Sequence, residues 1–273
     1  AGTVLALVEA AVFPPGKAED PGAPRRARVD ELRLPGSLSP STSASGGPPP
    51  PAPTLVRSCY VAFDLPSDNK GLEDLVYLGG GRALFLCEGN GCVGGRAGQD
   101  RSEGGVLLLA RLDFSPAAAA EPGGCAWRVE RRLALPASAA FEDYSGLALH
   151  SGVLAVLSQA DAAVWVGRFD EASGEVSDLP AVGARRGRGG NATAPAVRPD
   201  WPGPVFPLPR DRSCRRALCT AEGVAWLDPP TAPGARLAIT TDRAKPGLFP
   251  WSCVGAAQGL HVLALPAKGE VVL

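Results

Sequence analysis

The chain has no methionine, only two histidines, and aromatic residues at 6% of its 273 positions. No C-x-x-C pair occurs, and with two histidines this excludes a zinc site of the finger or ribbon kind. No apolar run reaches the roughly 18 residues that a membrane-spanning helix needs. Net charge is −1, so there is no broad basic field, and neither nucleic acid nor anionic membrane is an expected partner. The single basic run, Arg185-Arg186-Gly187-Arg188, reads as a solvated loop. No leader pattern opens the chain, and Ala1–Val8 already read as a strand. The expectation is a chain that begins inside a domain.

Catalytic signatures are also sparse. Ser145 lies in Asp143-Tyr144-Ser145-Gly146-Leu147, not in a G-x-S-x-G elbow, and neither histidine has a triad context. Ser67-Asp68-Asn69-Lys70 matches S-x-x-K by spacing but falls between strands. Gly79-Gly80-Gly81 is followed by a strand-like run, which makes it a hairpin turn and not a phosphate loop.

Turn formers and apolar residues are abundant. The chain holds 34 glycines and 28 prolines, yet 45% of it is hydrophobic. That balance suits an all-β protein with many tight turns, a buried core and a few insertions. Strand-like runs begin with Val4–Phe13, Arg28–Leu34 and Leu55–Leu65. Three stretches rich in Pro, Gly, Ala or Ser, at about 36–53, 115–124 and 184–204, are expected to be disordered insertions.

Seven cysteines are present. Cys87 and Cys92 bracket Glu-Gly-Asn-Gly, and Cys214 and Cys219 bracket Arg-Arg-Ala-Leu. Short loops of this kind suit structural disulfides and an oxidising compartment. Cys87, Cys92, Cys125, Cys214, Cys219 and Cys253 are the disulfide candidates, with an odd cysteine left over. Asn191-Ala192-Thr193 is a glycosylation sequon. Together these features point to a secreted protein or one of the secretory-pathway lumen.

An internal repeat organises the chain. Gly71–Tyr77 with Ala83–Glu88, Asp143–Leu149 with Leu154–Gln159, and Ala221–Trp226 with Leu237–Asp242 follow one plan. Each is a small or acidic dipeptide, a short apolar strand, a turn, and a second apolar strand ending in a polar residue. Val106–Phe114 and Trp127–Leu135 supply two further strands after the first copy. A four-strand unit repeated in tandem is the blade of a β-propeller. Residues 1–66 then form the second to fourth strands of one blade, 71–135 the next, about 144–208 another and 222–273 the last. About four blades are expected within residues 1–273, as part of a five- or six-bladed propeller. A β-sandwich is the competing architecture.

The repeat sets Glu73, Ser145 and Glu222 at equivalent points before the inner strands. It sets Glu88, Gln159 and Asp242 at equivalent ends of the second strands. Carboxylates that converge repel one another unless they share protons or a cation. Their hard oxygens suit Ca2+ or another divalent cation, so Glu73, Glu88, Glu222 and Asp242 are candidate metal ligands. Asn90, Asp143, Ser145 and Gln159 are candidate ligand-binding residues. The competing reading is structural, with each carboxylate accepting backbone N–H bonds from the neighbouring blade. The tryptophans read as inter-blade packing.

Lys70-Gly-Leu-Glu-Asp-Leu75, Leu86-Cys-Glu-Gly-Asn-Gly-Cys92, Cys125-Ala-Trp127, Asp143-Tyr-Ser-Gly146, Ser158-Gln159 with Val164-Trp-Val-Gly167, and Cys219-Thr-Ala-Glu-Gly-Val224 resemble a family of uncharacterised propeller-like proteins. That family is distantly similar to the SdiA-regulated and esterase-like-phytase propellers and to calcium-dependent lactonases. The resemblance implies a five- or six-bladed propeller, often with a cation near the axis and sometimes hydrolytic activity. Ser145 departs from the lactonase pattern, which places an acid there.

Two functions follow as expectations. The first is a monomeric propeller that binds a small-molecule, glycan or protein ligand on its axial face. The second is a metal-dependent hydrolase of ester, lactone or phosphoester substrates. In the second, Glu73 and Glu222 hold the cation, and Glu88 or Asp242 is base to a metal-bound water.

Overall fold

A computed structural model of the chain describes residues 2–12, 25–35, 52–65, 71–179, 204–230, 232, 234–242 and 258–265. The expected insertions at about 36–53 and 184–204 lie outside the described residues, apart from Ala52, Pro53 and Pro204. Asn191 and Cys253 lie outside them as well.

The protein is all-β and built from several antiparallel sheets. The first seven strands are β1 (Thr3–Val12), β2 (Arg25–Arg33), β3 (Thr54–Val61), β4 (Leu72–Gly79), β5 (Arg82–Cys87), β6 (Val106–Asp113) and β7 (Ala126–Ala134). They form one sheet in the order β1-β2-β3-β7-β6-β5-β4. Within it, β4 to β7 are an antiparallel run in chain order. A short parallel pairing, Tyr60 with Ala126 and Val61 with Trp127, joins β3 to β7. At the far ends β1 packs against β4, so the sheet nearly closes on itself.

The second sheet is the run β8 (Gly146–His150), β9 (Val153–Ser158), β10 (Ala163–Asp170) and β11 (Glu175–Asp178), with β12 (Val205–Pro207) also paired to β10. The third is β13 (Ala221–Trp226), β14 (Arg236–Thr241) and β15 (Gly259–Ala264). The strands β4, β8 and β13 lead their runs, and each packs beside the next.

Turn chemistry sets these hairpins. Ser151 and Gly152 link β8 to β9 with φ of 51° and 76°. Positive φ at both central residues is the two-residue turn whose twist matches paired strands.

The core explains the strand pattern. Ala83, Phe85 and Cys87 of β5 pack into one apolar cluster with β2, β3, β6 and β7. Leu84 and Leu86, between them, pack into another with β8 and β9. β9 repeats the arrangement: Leu154 and Val156 face that same cluster, while Val153, Ala155 and Leu157 face a third, shared with β13 and β14. A strand buried on both faces has no reason to alternate apolar with polar, and these two are unbroken apolar runs. Burial of these side chains is the main stabilising term, at about 25 cal/mol per Å² of apolar surface.

Residues 115–124, expected as a disordered insertion, are ordered. They open with a helical turn, α1 (Pro116–Ala119). The Ser115 hydroxyl accepts the Ala118 N–H, Pro116 occupies the first turn, and Ala118 is fully buried. A proline at a helix start removes only a donor that has no partner there, so the Pro-Ala run begins a helix well.

The disulfides also differ from expectation in part. Cys87–Cys92 closes the short loop as expected, with Cα atoms 5.2 Å apart. Cys125 bonds Cys59, which is not among the expected cysteines, across 66 residues. This bridge fastens β3 to the start of β7. Cys219 is disulfide-bonded, whereas Cys214 is free and exposed. A Cys214–Cys219 bridge therefore does not form.

Candidate functional site

The ends of the lead strands and of the strands paired to them gather the acidic residues. Glu73 sits at the start of β4 and Glu88 just after β5. Glu9 arrives from β1, which packs against β4. Carboxylate oxygens of Glu9, Glu73 and Glu88 all lie within 4.8 Å of one another. One contact explains how Glu9 is held: the Gly71 N–H donates to its Oε1 at 3.2 Å. A Cβ at Gly71 would lie 2.6 Å from the Glu9 carbonyl oxygen, so only glycine lets the two segments approach this closely.

Burial and like charge dominate the electrostatics. Burial pushes the Glu73 carboxyl up to about 9, helped by repulsion from Glu9 and Glu88 and by a hydrogen bond with the Glu88 side chain. Glu222, at the start of β13, is also raised, first by burial and then by Asp143, Asp242 and Glu88. The acidic field therefore extends from Glu9 across Glu73 and Glu88 to Glu222, Asp143 and Asp242. Asp74 is raised to about 6 by burial, although it accepts the N–H groups of Leu75 and Leu147. Its bond to Leu147 ties β4 to β8.

The other candidate residues make defined contacts. Gln159 donates its amide to Glu222 Oε1 at 2.9 Å. Asp143 accepts the Ser158 hydroxyl at 2.7 Å and the Ala160 N–H. The Ser145 hydroxyl is buried and donates to the Ala221 carbonyl at 2.7 Å. Asn90 is fully buried; its amide donates to Gly98 O and Phe141 O, and its oxygen accepts the Tyr144 hydroxyl. Ser145 and Asn90 thus join segments of chain. Glu73, Glu88, Glu222, Asp143 and Asp242 share the acidic field, and Asp242 accepts the Gln258 amide at 3.2 Å.

Glu9 is the residue that sequence reasoning missed. The signal is present: Leu5-Ala-Leu-Val-Glu9 has the form of Leu84-Phe-Leu-Cys-Glu88, Ala155-Val-Leu-Ser-Gln159 and Ala238-Ile-Thr-Thr-Asp242. Glu9 is the fourth member of that set. Chemically, three partly buried carboxylates with oxygens this close suit a divalent cation with oxygen ligands. No known protein family, curated protein or solved structure matches the chain.

Proposed function

We propose that the chain is a secretory-pathway β-propeller whose axial mouth holds a divalent cation, Ca2+ or Mg2+, and through it a polar ligand. The convergence of Glu9, Glu73 and Glu88 from three separate strands carries this reading. Glu73 is the central ligand, with Glu9 and Glu88 beside it and Glu222 and Asp242 on the adjoining wall. Neutralising such a group of like charges is worth most where burial already weakens their hydration.

The blade architecture is supported by three features. β4–β7 and β8–β11 are four-strand runs in chain order. One apolar cluster joins the first sheet to the second and another the second to the third, and a further one lies inside the first sheet, between β2–β3 and β4–β7. The parallel pairing of β3 with β7 follows if both are fourth strands, because equivalent strands of neighbouring blades run the same way. In that arrangement β1, β5, β9 and β14 are second strands. The Cys59–Cys125 and Cys87–Cys92 bridges support an oxidising compartment.

A binding role fits better than hydrolysis. The polar residues recur sheet by sheet, with no separate acid–base pair set apart from the repeat among the described residues. The test is the divalent-metal content of the natively purified chain, read beside hydrolysis of ester, lactone and phosphomonoester substrates. The expected result is a stoichiometric cation, lost in Glu73→Gln, and no turnover. Protein that is metal-free and takes up none on dialysis overturns the reading. Metal-dependent turnover that disappears in Glu88→Gln replaces it with the hydrolase.

A further inference from the structure

The two halves of the first sheet, β1–β3 and β4–β7, pack together through an apolar cluster that does not fill the space between them. Among the described residues a cavity of about 270 Å³ remains, lined from β1, β2, β3, β4, β6 and β7. Val29, Cys59 and Trp127 form its apolar floor, each only 2% exposed. Trp127 is held by an edge contact with Phe85, the ring centroids 5.6 Å apart. Tyr77 supplies part of the wall, and its hydroxyl is fixed by the Gly81 N–H at 3.0 Å. Thr3 lies at the exposed rim, on the same face of β1 as Leu5. The walls are therefore set before any ligand arrives.

One charged pair interrupts this apolar lining. Glu31 and Arg57 face each other in register on β2 and β3, and both border the cavity. Arg57 Nε lies 2.5 Å from Glu31 Oε2, yet its N–H is not aligned with that oxygen and donates no hydrogen bond although the atom is buried. The guanidinium carbon sits 5.2 Å from the centre of the Phe114 ring. Arg57 is thus balanced in charge while a buried donor stays unsatisfied, and an acceptor placed in the cavity relieves that cost.

We infer that this cavity binds a small neutral molecule, apolar over the volume of two fused rings and carrying one hydroxyl group. Size follows from comparison: an apolar cavity of about 150 Å³ takes benzene, and this one is nearly twice as large. Charge follows from the Glu31–Arg57 pair. A desolvated anion would lie beside Glu31 and a desolvated cation beside Arg57. A hydroxyl donates to Glu31 and accepts from Arg57, so it meets both at no cost in net charge. The cavity is separate from the acidic mouth. Tyr77 follows Glu73 by four residues on β4, about 13 Å of strand. The inference holds whether or not the mouth takes a cation.

The probe is naphthylmethanol, measured by equilibrium dialysis against the chain, with naphthoate and naphthylmethylammonium as its anionic and cationic counterparts. One saturable site is expected for the alcohol, with both ions at least about tenfold weaker. Thr3→Trp places a ring across the rim and abolishes binding of the alcohol. Glu31→Gln leaves Arg57 without its counter-charge, so naphthoate binds at least about tenfold more tightly than to the unaltered protein, while the alcohol stays within about threefold. Loosened packing alone would instead weaken all three probes together. The three probes on the unaltered protein decide the matter even if Glu31→Gln fails to fold. No saturable binding of the alcohol, three probes that bind alike, binding untouched by Thr3→Trp, or no gain for naphthoate in folded Glu31→Gln overturns the inference.

Discussion

The Gln159 amide reaches Glu222 across 2.9 Å, joining the end of β9 to the start of β13. Gln159 stands where Glu88 and Glu9 carry carboxylates in the other runs. The amide gives Glu222 a donor within a field of acids, and this bond lowers the Glu222 carboxyl against the burial that raises it. Gln159→Glu replaces the donor with another like charge. Metal-free protein carrying this change is expected to melt at lower temperature above about pH 7, with the difference closed by saturating Ca2+. Differential scanning calorimetry with and without Ca2+ measures both effects. An unchanged melting temperature would place Glu222 outside the acidic field.

The raised carboxyls make stability depend on pH in a stated direction. Glu73 keeps its proton to about 9 in the folded chain and releases it near 4.5 when unfolded. Its contribution is full below about 4.5 and is lost as pH rises towards 9. Asp74 adds a smaller loss between its unfolded value of 3.8 and about 6. Urea unfolding of metal-free protein should therefore show falling stability from about pH 5 to 9, and Glu73→Gln should flatten the slope. A slope that is unchanged in Glu73→Gln would mean that Glu73 ionises as an ordinary carboxyl.

Asn90 distinguishes a structural residue from a ligand-binding one. Its side chain satisfies Gly98 O, Phe141 O and the Tyr144 hydroxyl in the interior. Asn90→Ala strands these groups and is expected to cost about 3 kcal/mol in chemical denaturation. Cation affinity should not change in the folded fraction. A loss of affinity with little loss of stability would reverse that assignment.

The Cys59–Cys125 bridge closes a loop of 66 residues. Replacing both cysteines by alanine is expected to lower stability by about 4 kcal/mol on the chain-entropy account. Equilibrium unfolding under non-reducing conditions measures this. A loss below about 1 kcal/mol would show that the unfolded chain is constrained by other means.

Much of the fold was legible because the buried strands are unbroken apolar runs between turn formers. Ala83–Cys87 and Leu154–Ser158 are buried on both faces, and the repeat around them placed Glu73, Glu88, Glu222 and Asp242 in equivalent positions. Glu9 escaped because the repeat was keyed to lead strands, and β1 has none paired to it among the described residues. Cys59 escaped because its partner is distant in sequence, whereas Cys214 and Cys219 are close in sequence but do not bond. The turn at Ser115–Ala119 escaped because its order comes from side-chain caps on Asp113 and Ser115 and from a buried Ala118. Composition does not report such contacts.

Calorimetric titration of Ca2+ into the metal-stripped chain at about pH 7.5, where Glu73 still holds its proton in the absence of metal, tests the proposed cation site most directly. The account predicts one saturable site, proton release on binding seen as a heat that varies with the buffer, and loss of both in Glu73→Gln. Absence of binding heat with Ca2+ and with Mg2+, or binding that survives Glu73→Gln unchanged, would contradict it.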